Sequence, residues 1–261
     1  MRAFAFLAAL ASAGAAAQEI VTVAPRSGVT QSFVILGMEG RTPGAVALLY
    51  VGGGGRINLR GENGEVRFSA RNFLPRSSGE FGRNGLLPVV MDVPSDQGDL
   101  TEGYRTSREQ TVDARAVVIE LKKRYPALPI YLVGTSRGTI SVAHLGRDLG
   151  DEVAGVVLSS TMFGSSNPRR QAPTLRGFDY ASIKAPLLFV HHRGDACEHT
   201  PYASAAKLAS RYALISVNGG KPAESHACEP LSAHGFYGVE AQTVDAIAAW
   251  MLKKPFVKEI G

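Results

Sequence analysis

The chain has 261 residues, 45% of them hydrophobic and 20% charged, with a formal net charge of +5 at pH 7. That size suits one α/β domain with a large core. Its basic residues are spread along the chain, with pairs at Lys122-Lys123, Arg169-Arg170 and Lys253-Lys254, so a nucleic-acid-binding face is not expected.

In chain order, the first feature is a leader. Arg2 supplies a short positive start, and Ala3 to Ala13 is an apolar run too short to span a bilayer. Ala15-Ala16-Ala17 offers the small-x-small pattern that a signal peptidase cuts, so residues 1–17 are expected to be a signal peptide and Gln18 the new N-terminus. Removing 17 of 261 residues leaves 244, and losing Arg2 takes the net charge from +5 to +4. No cysteine sits at the cut and no later apolar run is long enough to cross a membrane. The expectation is a soluble, periplasmic or secreted protein without a membrane anchor, a single domain over residues 18–261.

From residue 18 onward, short apolar runs alternate with longer amphipathic ones, the pattern of helices packed on a mostly parallel sheet. Eight strands are expected: Ile20–Ala24, Ser32–Leu36, Ala45–Val51, Pro88–Val93, Ile130–Gly134, Val153–Ser159, Pro186–His191 and Ala213–Val217. The first two read as a hairpin across Pro25–Gln31, and the later ones, joined by helices, as parallel. Helices are expected over Ser107–Tyr125, Arg137–Leu149, Tyr202–Tyr212 and Val239–Leu252. Val112, Ala116, Ile119 and Lys123 fall at helical spacing in the first, and Val244, Ile247, Ala248 and Met251 share a face of the last. Gly52–Leu87 is a long, weakly patterned segment whose apolar anchors are Phe73, Leu74 and Phe81, and loops of that length are often functional. The connection Thr161–Ala185 is too short for a sizeable helical cap.

The chemistry concentrates at strand ends. Gly134-Thr135-Ser136-Arg137-Gly138 follows an apolar strand and opens a helix. A serine on such a sharp turn is strained, and small neighbours at the two glycine positions leave room for the turn. The helix N-terminus behind it aims the Arg137 N–H at any oxyanion formed there. A serine hydroxyl needs a base, for which His234 in Ser232-Ala-His-Gly-Phe236 is preferred over His226 because it lies closer to the final helix. The imidazole in turn needs a carboxylate. Asp195, after the strand Pro186–Val190, fills that place, with Asp92 as the alternative.

The order Ser136, Asp195, His234, each just after a successive strand, resembles the α/β-hydrolase superfamily over essentially the whole mature chain. His191-His-Arg-Gly-Asp195 resembles that family's strand-end His-Gly-x-x-Asp with His192 in place of Gly, and His234-Gly235-Phe236 is a common form of its histidine loop. The resemblance implies an α/β-hydrolase fold with an eight-stranded sheet, helices on both faces and little or no cap. It also implies a second oxyanion donor from the loop after the third strand, here Val51-Gly-Gly-Gly-Gly55, with Gly53 or Gly54 as the choices. Relatives often carry His where this chain has Val51. A phosphate-binding loop is the competing reading, but no Lys-Ser or Lys-Thr pair follows the glycines.

Arg137 has two readings of equal weight: a cation that attracts a carboxylate-bearing substrate, or a partner of a buried acid such as Asp92 or Glu120. Cys197 and Cys228 come after the leader, and an even count in an oxidising compartment points to a disulfide rather than a zinc site, since the neighbouring His and Cys spacings match no common structural zinc pattern. The expected activity is hydrolysis of an ester or related acyl bond in a small-molecule or polymeric substrate, with no cofactor and no metal. The alternatives are an acyltransferase on the same triad, or a periplasmic binding protein that keeps the fold without turnover.

Overall fold

The computed structural model describes residues 18–38, 40–164 and 174–261. The expected leader, residues 1–17, lies outside the described residues. The chain opens with an antiparallel hairpin, β1 (Glu19–Arg26) and β2 (Val29–Ile35), followed by β3 (Ala45–Tyr50). A small separate hairpin, β4 (Arg60–Glu62) and β5 (Glu65–Arg67), leads to short helices α1 (Phe73–Arg76) and α2 (Ser78–Arg83). Then come β6 (Leu86–Pro94), α3 (Glu102–Arg105), α4 (Arg108–Arg124), β7 (Ile130–Thr135), α5 (Gly138–Leu149) and β8 (Gly155–Ser159). The chain finishes with β9 (Leu187–His192), α6 (Tyr202–Leu208), β10 (Ala213–Val217), α7 (Glu240–Met251) and β11 (Glu259–Ile260).

The main sheet has nine strands in the order β1-β2-β6-β3-β7-β8-β9-β10-β11. β2 pairs antiparallel with β1 and β6, and every pairing from β6 onward is parallel. All eight expected strands are present. The ninth, β11, has two residues, too few to show a period, and is held by its pairing with Ser216 and Val217. The segment Gly52–Leu87 is not a plain loop. It holds β4, β5, α1 and α2, anchored by the buried Phe73, Leu74 and Phe81.

Strand alternation divides the core between two faces. In β3 every residue is buried: Val46, Leu48 and Tyr50 point to one side, Ala45, Ala47 and Leu49 to the other. The first side is covered by Val117 and Leu121 of α4 and Ile140 and Leu145 of α5. The second is covered by Leu74, Phe81 and, from α7, Val244, Ile247 and Met251. Each such side chain contributes about 1.5–3 kcal/mol on leaving water. Central parallel strands covered on both faces read as continuous apolar runs, which is what β3, β7, β8 and β9 are.

The buried face of α4 is not the one that carries Val112, Ala116, Ile119 and Lys123. α4 turns Ala114, Val117, Val118 and Leu121 to the core, while Ile119 is 59% exposed. Apolar residues occur on both sides of this helix, and its buried side also carries Gln110 and Asp113, so hydrophobic spacing alone could not choose between them. Asp113 is buried because it has partners. Arg26 Nε and Nη2 donate to its two oxygens at 2.7 and 2.8 Å, and Tyr104 Oη donates at 2.7 Å, tying β1 to α4. Among the described residues no helix is long and apolar enough to cross a membrane.

Arg26→Met leaves the Asp113 carboxylate buried with only the tyrosine as partner. Urea unfolding should show a loss of about 2–3 kcal/mol, below the cost of breaking a fully enclosed pair because the arginine is partly in solvent. Asp113→Asn in the same background should recover part of it.

Candidate active site

β7 ends at Thr135 and α5 begins at Gly138, so the chain reverses within Ser136-Arg137. Ser136 sits at φ 51°, a left-handed conformation that costs a non-glycine residue about 1–3 kcal/mol. The surroundings hold it there. Its N–H donates to Ser159 O at 3.0 Å, and its carbonyl accepts from Thr139 N at 2.9 Å and Thr139 Oγ1 at 2.6 Å. The two flanking glycines are required by close approach. A Cβ on Gly134 would stand 2.7 Å from Gly138 O, and one on Gly138 would stand 2.2 Å from Tyr50 O. Since both obstacles are backbone, Gly138→Ala should cost about 3 kcal/mol or more in thermal or urea unfolding. A variant as stable as the wild type would show that the turn can relax.

Asp195 and His234 meet across the carboxyl edge of the sheet. After β9, the side chain of Asp195 is wholly enclosed. Its Oδ1 accepts from Cys197 N at 2.9 Å, and its Oδ2 accepts from Thr200 Oγ1 at 2.7 Å and faces His234 Nδ1 at 3.1 Å. Thr200 Oγ1 also lies 3.2 Å from His234 Nδ1. His234 occupies a 3-10 turn, Ala233–Gly235, and is braced from several sides. Its N–H donates to Ser232 Oγ, and its carbonyl accepts from Ser160 Oγ at 2.8 Å. Arg76 Nη2 donates to Gly235 O at 2.9 Å and to Pro230 O at 3.2 Å while paired with Glu240 at 3.0 Å. Phe236, fully buried, packs on Phe73 with ring centroids 4.8 Å apart. His234 Nε2 is buried and has no hydrogen-bond partner among the described residues.

Ser136 and His234 line one cleft of about 200 Å³, whose walls also include Gly53, Asn72, Phe73, Cys228, Glu229 and Pro230. The glycine loop bends through a turn in which Gly55 N donates to Gly52 O at 3.1 Å. Gly53, at φ 57°, faces the cleft. Gly54 instead packs against Asp99, where a Cβ would stand 2.6 Å from the carboxyl carbon.

The alternatives named from sequence lie elsewhere. Asp92 caps backbone, accepting from Ile57, Val93 and Leu59 N–H groups at 2.8–2.9 Å. Glu120 pairs with Arg124 at 2.6 Å. Arg137 is therefore bonded to neither acid expected for it. The carboxylate that feels its charge is Glu102, whose pKa burial raises and Arg137 pulls back down. His226 is exposed, on a groove with Arg71 and Glu224 that adjoins the cleft across Glu229 and Pro230, and it does not line the cleft itself. The supports Thr200, Ser160 and Arg76 were not foreseen. Nothing in the local pattern marks them, because their roles arise from contacts across 34, 74 and 159 positions.

Cys197 and Cys228 form a disulfide. It links the Asp195 turn to a wall of the cleft, and its stabilisation is about 3–4 kcal/mol by chain entropy. Cys197→Ser with Cys228→Ser should lower the unfolding free energy by about that amount, measured against wild type under non-reducing conditions. Among the described residues no group of His, Cys, Asp and Glu is arranged to hold a metal ion.

His191, at the end of β9, is buried and accepts from Thr161 N at 3.0 Å through Nε2, so it is neutral. Burial pushes its pKa down to about 3, with the nearby His234 adding to that and Asp195 opposing it. Below pH 6.5 the unfolded chain takes up a proton that the folded chain refuses until about pH 3. Stability from this group is thus full above pH 6.5 and falls through that window by up to about 1.4 kcal/mol per pH unit. Unfolding free energies at pH 7, 5.5 and 4 should fall less steeply in His191→Asn than in wild type.

A family model described as serine aminopeptidase, S33, matches residues 101–187, which carry β7, Ser136 and α5. No curated protein matches the chain. Among solved structures, an α/β serine hydrolase without lid from Xanthomonas campestris is similar at TM-score 0.57 and 14% identity, covering 88% of this chain and 94% of that one. Est1E from Butyrivibrio proteoclasticus is similar at 0.58 and 15%, covering 90% and 98%. The esterase domain of a Rhodothermus marinus protein is similar at 0.58 and 15%, again covering 90% and 98%.

Proposed function

From its fold, shared with α/β serine hydrolases, we propose that the chain belongs to the α/β-hydrolase superfamily and is a serine hydrolase cleaving an ester or related acyl bond. The observation that carries the reading is His234, whose Nδ1 is held by Asp195, whose Nε2 has no partner among the described residues, and which lines the same cleft as Ser136. An imidazole anchored at one nitrogen and free at the other can take a proton from a serine hydroxyl.

Ser136 Oγ attacks the substrate carbonyl as His234 Nε2 accepts its proton. The negative oxygen of the tetrahedral intermediate lies against the N–H of Arg137 and that of Gly53, which the cleft favours over Gly54. The imidazolium, stabilised by Asp195, returns the proton to the leaving alcohol as the carbon–oxygen bond breaks. Water then attacks the acyl-enzyme, giving its proton to His234, and the acid is released with Ser136 restored. Thr200, bonded to both members of the charge pair, keeps them in register. No step calls on a cofactor. The signal-peptide pattern of residues 1–17 and the disulfide together support export, since such bonds persist in oxidising compartments.

A fluorophosphonate should label wild-type protein at Ser136, with Ser136→Ala unlabelled and slower by roughly 10³-fold or more on an aryl ester. His234→Ala should behave almost alike, because the two groups act as a unit, while His226→Ala keeps most of its activity. Acyl p-nitroanilides belong in the same screen, because the family model that matches is named for an aminopeptidase. Adding alcohols separates acyl transfer from hydrolysis by product. A folded protein that takes up no label and turns over no ester or amide is a binder, and the hydrolase reading falls.

A further inference from the structure

Arg105, at the end of α3, has no solvent exposure at all. Its Nη1 donates to Ser141 Oγ at 2.9 Å, and its Nη2 donates to Gly53 O at 2.9 Å. Neither partner is a carboxylate. The buried carboxylate of Asp113, which lines the same small cavity as Arg105, is already taken by Arg26 and Tyr104. Asp99 and Glu102 act on Arg105 only through space, and burial lowers its pKa against them. A guanidinium stays charged in a protein, so desolvating this one costs several kcal/mol that two neutral acceptors offset incompletely. An apolar side chain of similar volume would fill the space at less cost. A role confined to packing does not account for the residue.

Its two bonds span the parts of the site that must keep a set separation. Ser141 lies on α5, whose N-cap, Arg137, carries the N–H that follows Ser136. Gly53 lies on the glycine loop and lines the cleft opposite. Two carbonyls of that loop are drawn away from the cleft, Gly53 O by Arg105 and Gly54 O by Leu100 N at 2.7 Å. Among the described residues no hydrogen bond is made by the N–H of Gly53 or Gly54. At φ 57° and without a side chain, Gly53 depends for its orientation on the Arg105 bond together with the turn closed by Gly55 N and Gly52 O.

Resting on the hydrolase reading above, we propose that Arg105 is a positioning residue for catalysis: a buried strut between α5 and the glycine loop that sets the distance between the two oxyanion donors. It touches neither substrate nor reacting atoms. Its effect is confined to the transition state, because the donors must meet the oxyanion rather than the ground-state carbonyl.

The test uses the full mature chain and three readouts. Arg105→Met should keep near-native near-UV circular dichroism, lose roughly 30- to 100-fold in kcat and hold KM within about 3-fold, since even complete removal of one donor costs roughly 100- to 1000-fold. Binding of a boronic acid, which forms the tetrahedral adduct on serine, should weaken in step with kcat/KM, whereas binding of the carboxylate product should not. Ser141→Ala cuts one end of the strut in a substitution small enough to fold, and should show the same split at roughly 3- to 10-fold. A folded Arg105→Met or Ser141→Ala with wild-type kcat and wild-type boronate affinity overturns the proposal. So does a loss that follows stability alone, with boronate and product affinities falling together. If Arg105→Met does not fold, Ser141→Ala decides. If the wild type fails to label at Ser136, the hydrolase reading falls and the strut role falls with it.

Discussion

The turn between β7 and α5 leaves no slack on any side. Gly138 passes beneath the carbonyl of Tyr50 at the end of β3, so close that any side chain would collide with backbone. This contact sets how tightly α5 docks on the central strands, and it forces Ser136 into the left-handed region. The neighbouring strand answers with Ser159 O on the Ser136 N–H. Because the strain is resisted by main-chain groups of several elements, it does not depend on any one side chain. The glycine loop that follows β3 leaves the same contact, so the packing that positions the nucleophile also fixes where the candidate oxyanion loop begins.

The charge pair is held differently. His234 stands on a short turn with little regular structure of its own, and its placement is imposed from outside. Arg76 from α1 grips two carbonyls of the turn, Ser160 a third, and Phe236 is locked against Phe73. The disulfide adds a covalent constraint between this region and the Asp195 turn. Nucleophile and base are thus held largely by different groups, backbone contact for the first and side chains for the second, and the end of β8 serves both, through Ser159 O on Ser136 and the adjoining Ser160 Oγ on the His234 carbonyl.

That difference explains what could be read in advance. The alternating strands, the glycines around Ser136 and the order Ser136, Asp195, His234 are local or ordinal features, visible as runs and spacings. The core face of α4 was not, because Val112 and Ile119 compete with Ala114, Val117 and Leu121 for the same period, and burial of Asp113 is decided by Arg26, 87 positions away. Thr200 gives no local sign of its place beside two titratable groups. The choice between Asp195 and Asp92 needed the fold as well: both follow apolar strands, but only Asp195 faces an imidazole, while Asp92 collects three backbone N–H groups.

The C-terminal residues do more than end the chain. A parallel sheet that stopped at β10 would offer its unpaired N–H and C=O groups to any passing strand. β11 occupies part of that rim with two residues, and Ser216 N and Asn218 N donate to carbonyls of Lys258 and Ile260 at 2.8 and 2.7 Å. A strand so short is a poor template for another copy, so the rim is blunted rather than extended. Glu259 also grips Arg193 at 2.7 Å, two residues before Asp195. Trimming the last few residues would therefore bare a sticky border and loosen the acid's turn in one stroke, joining resistance to aggregation and upkeep of the site in the same few atoms.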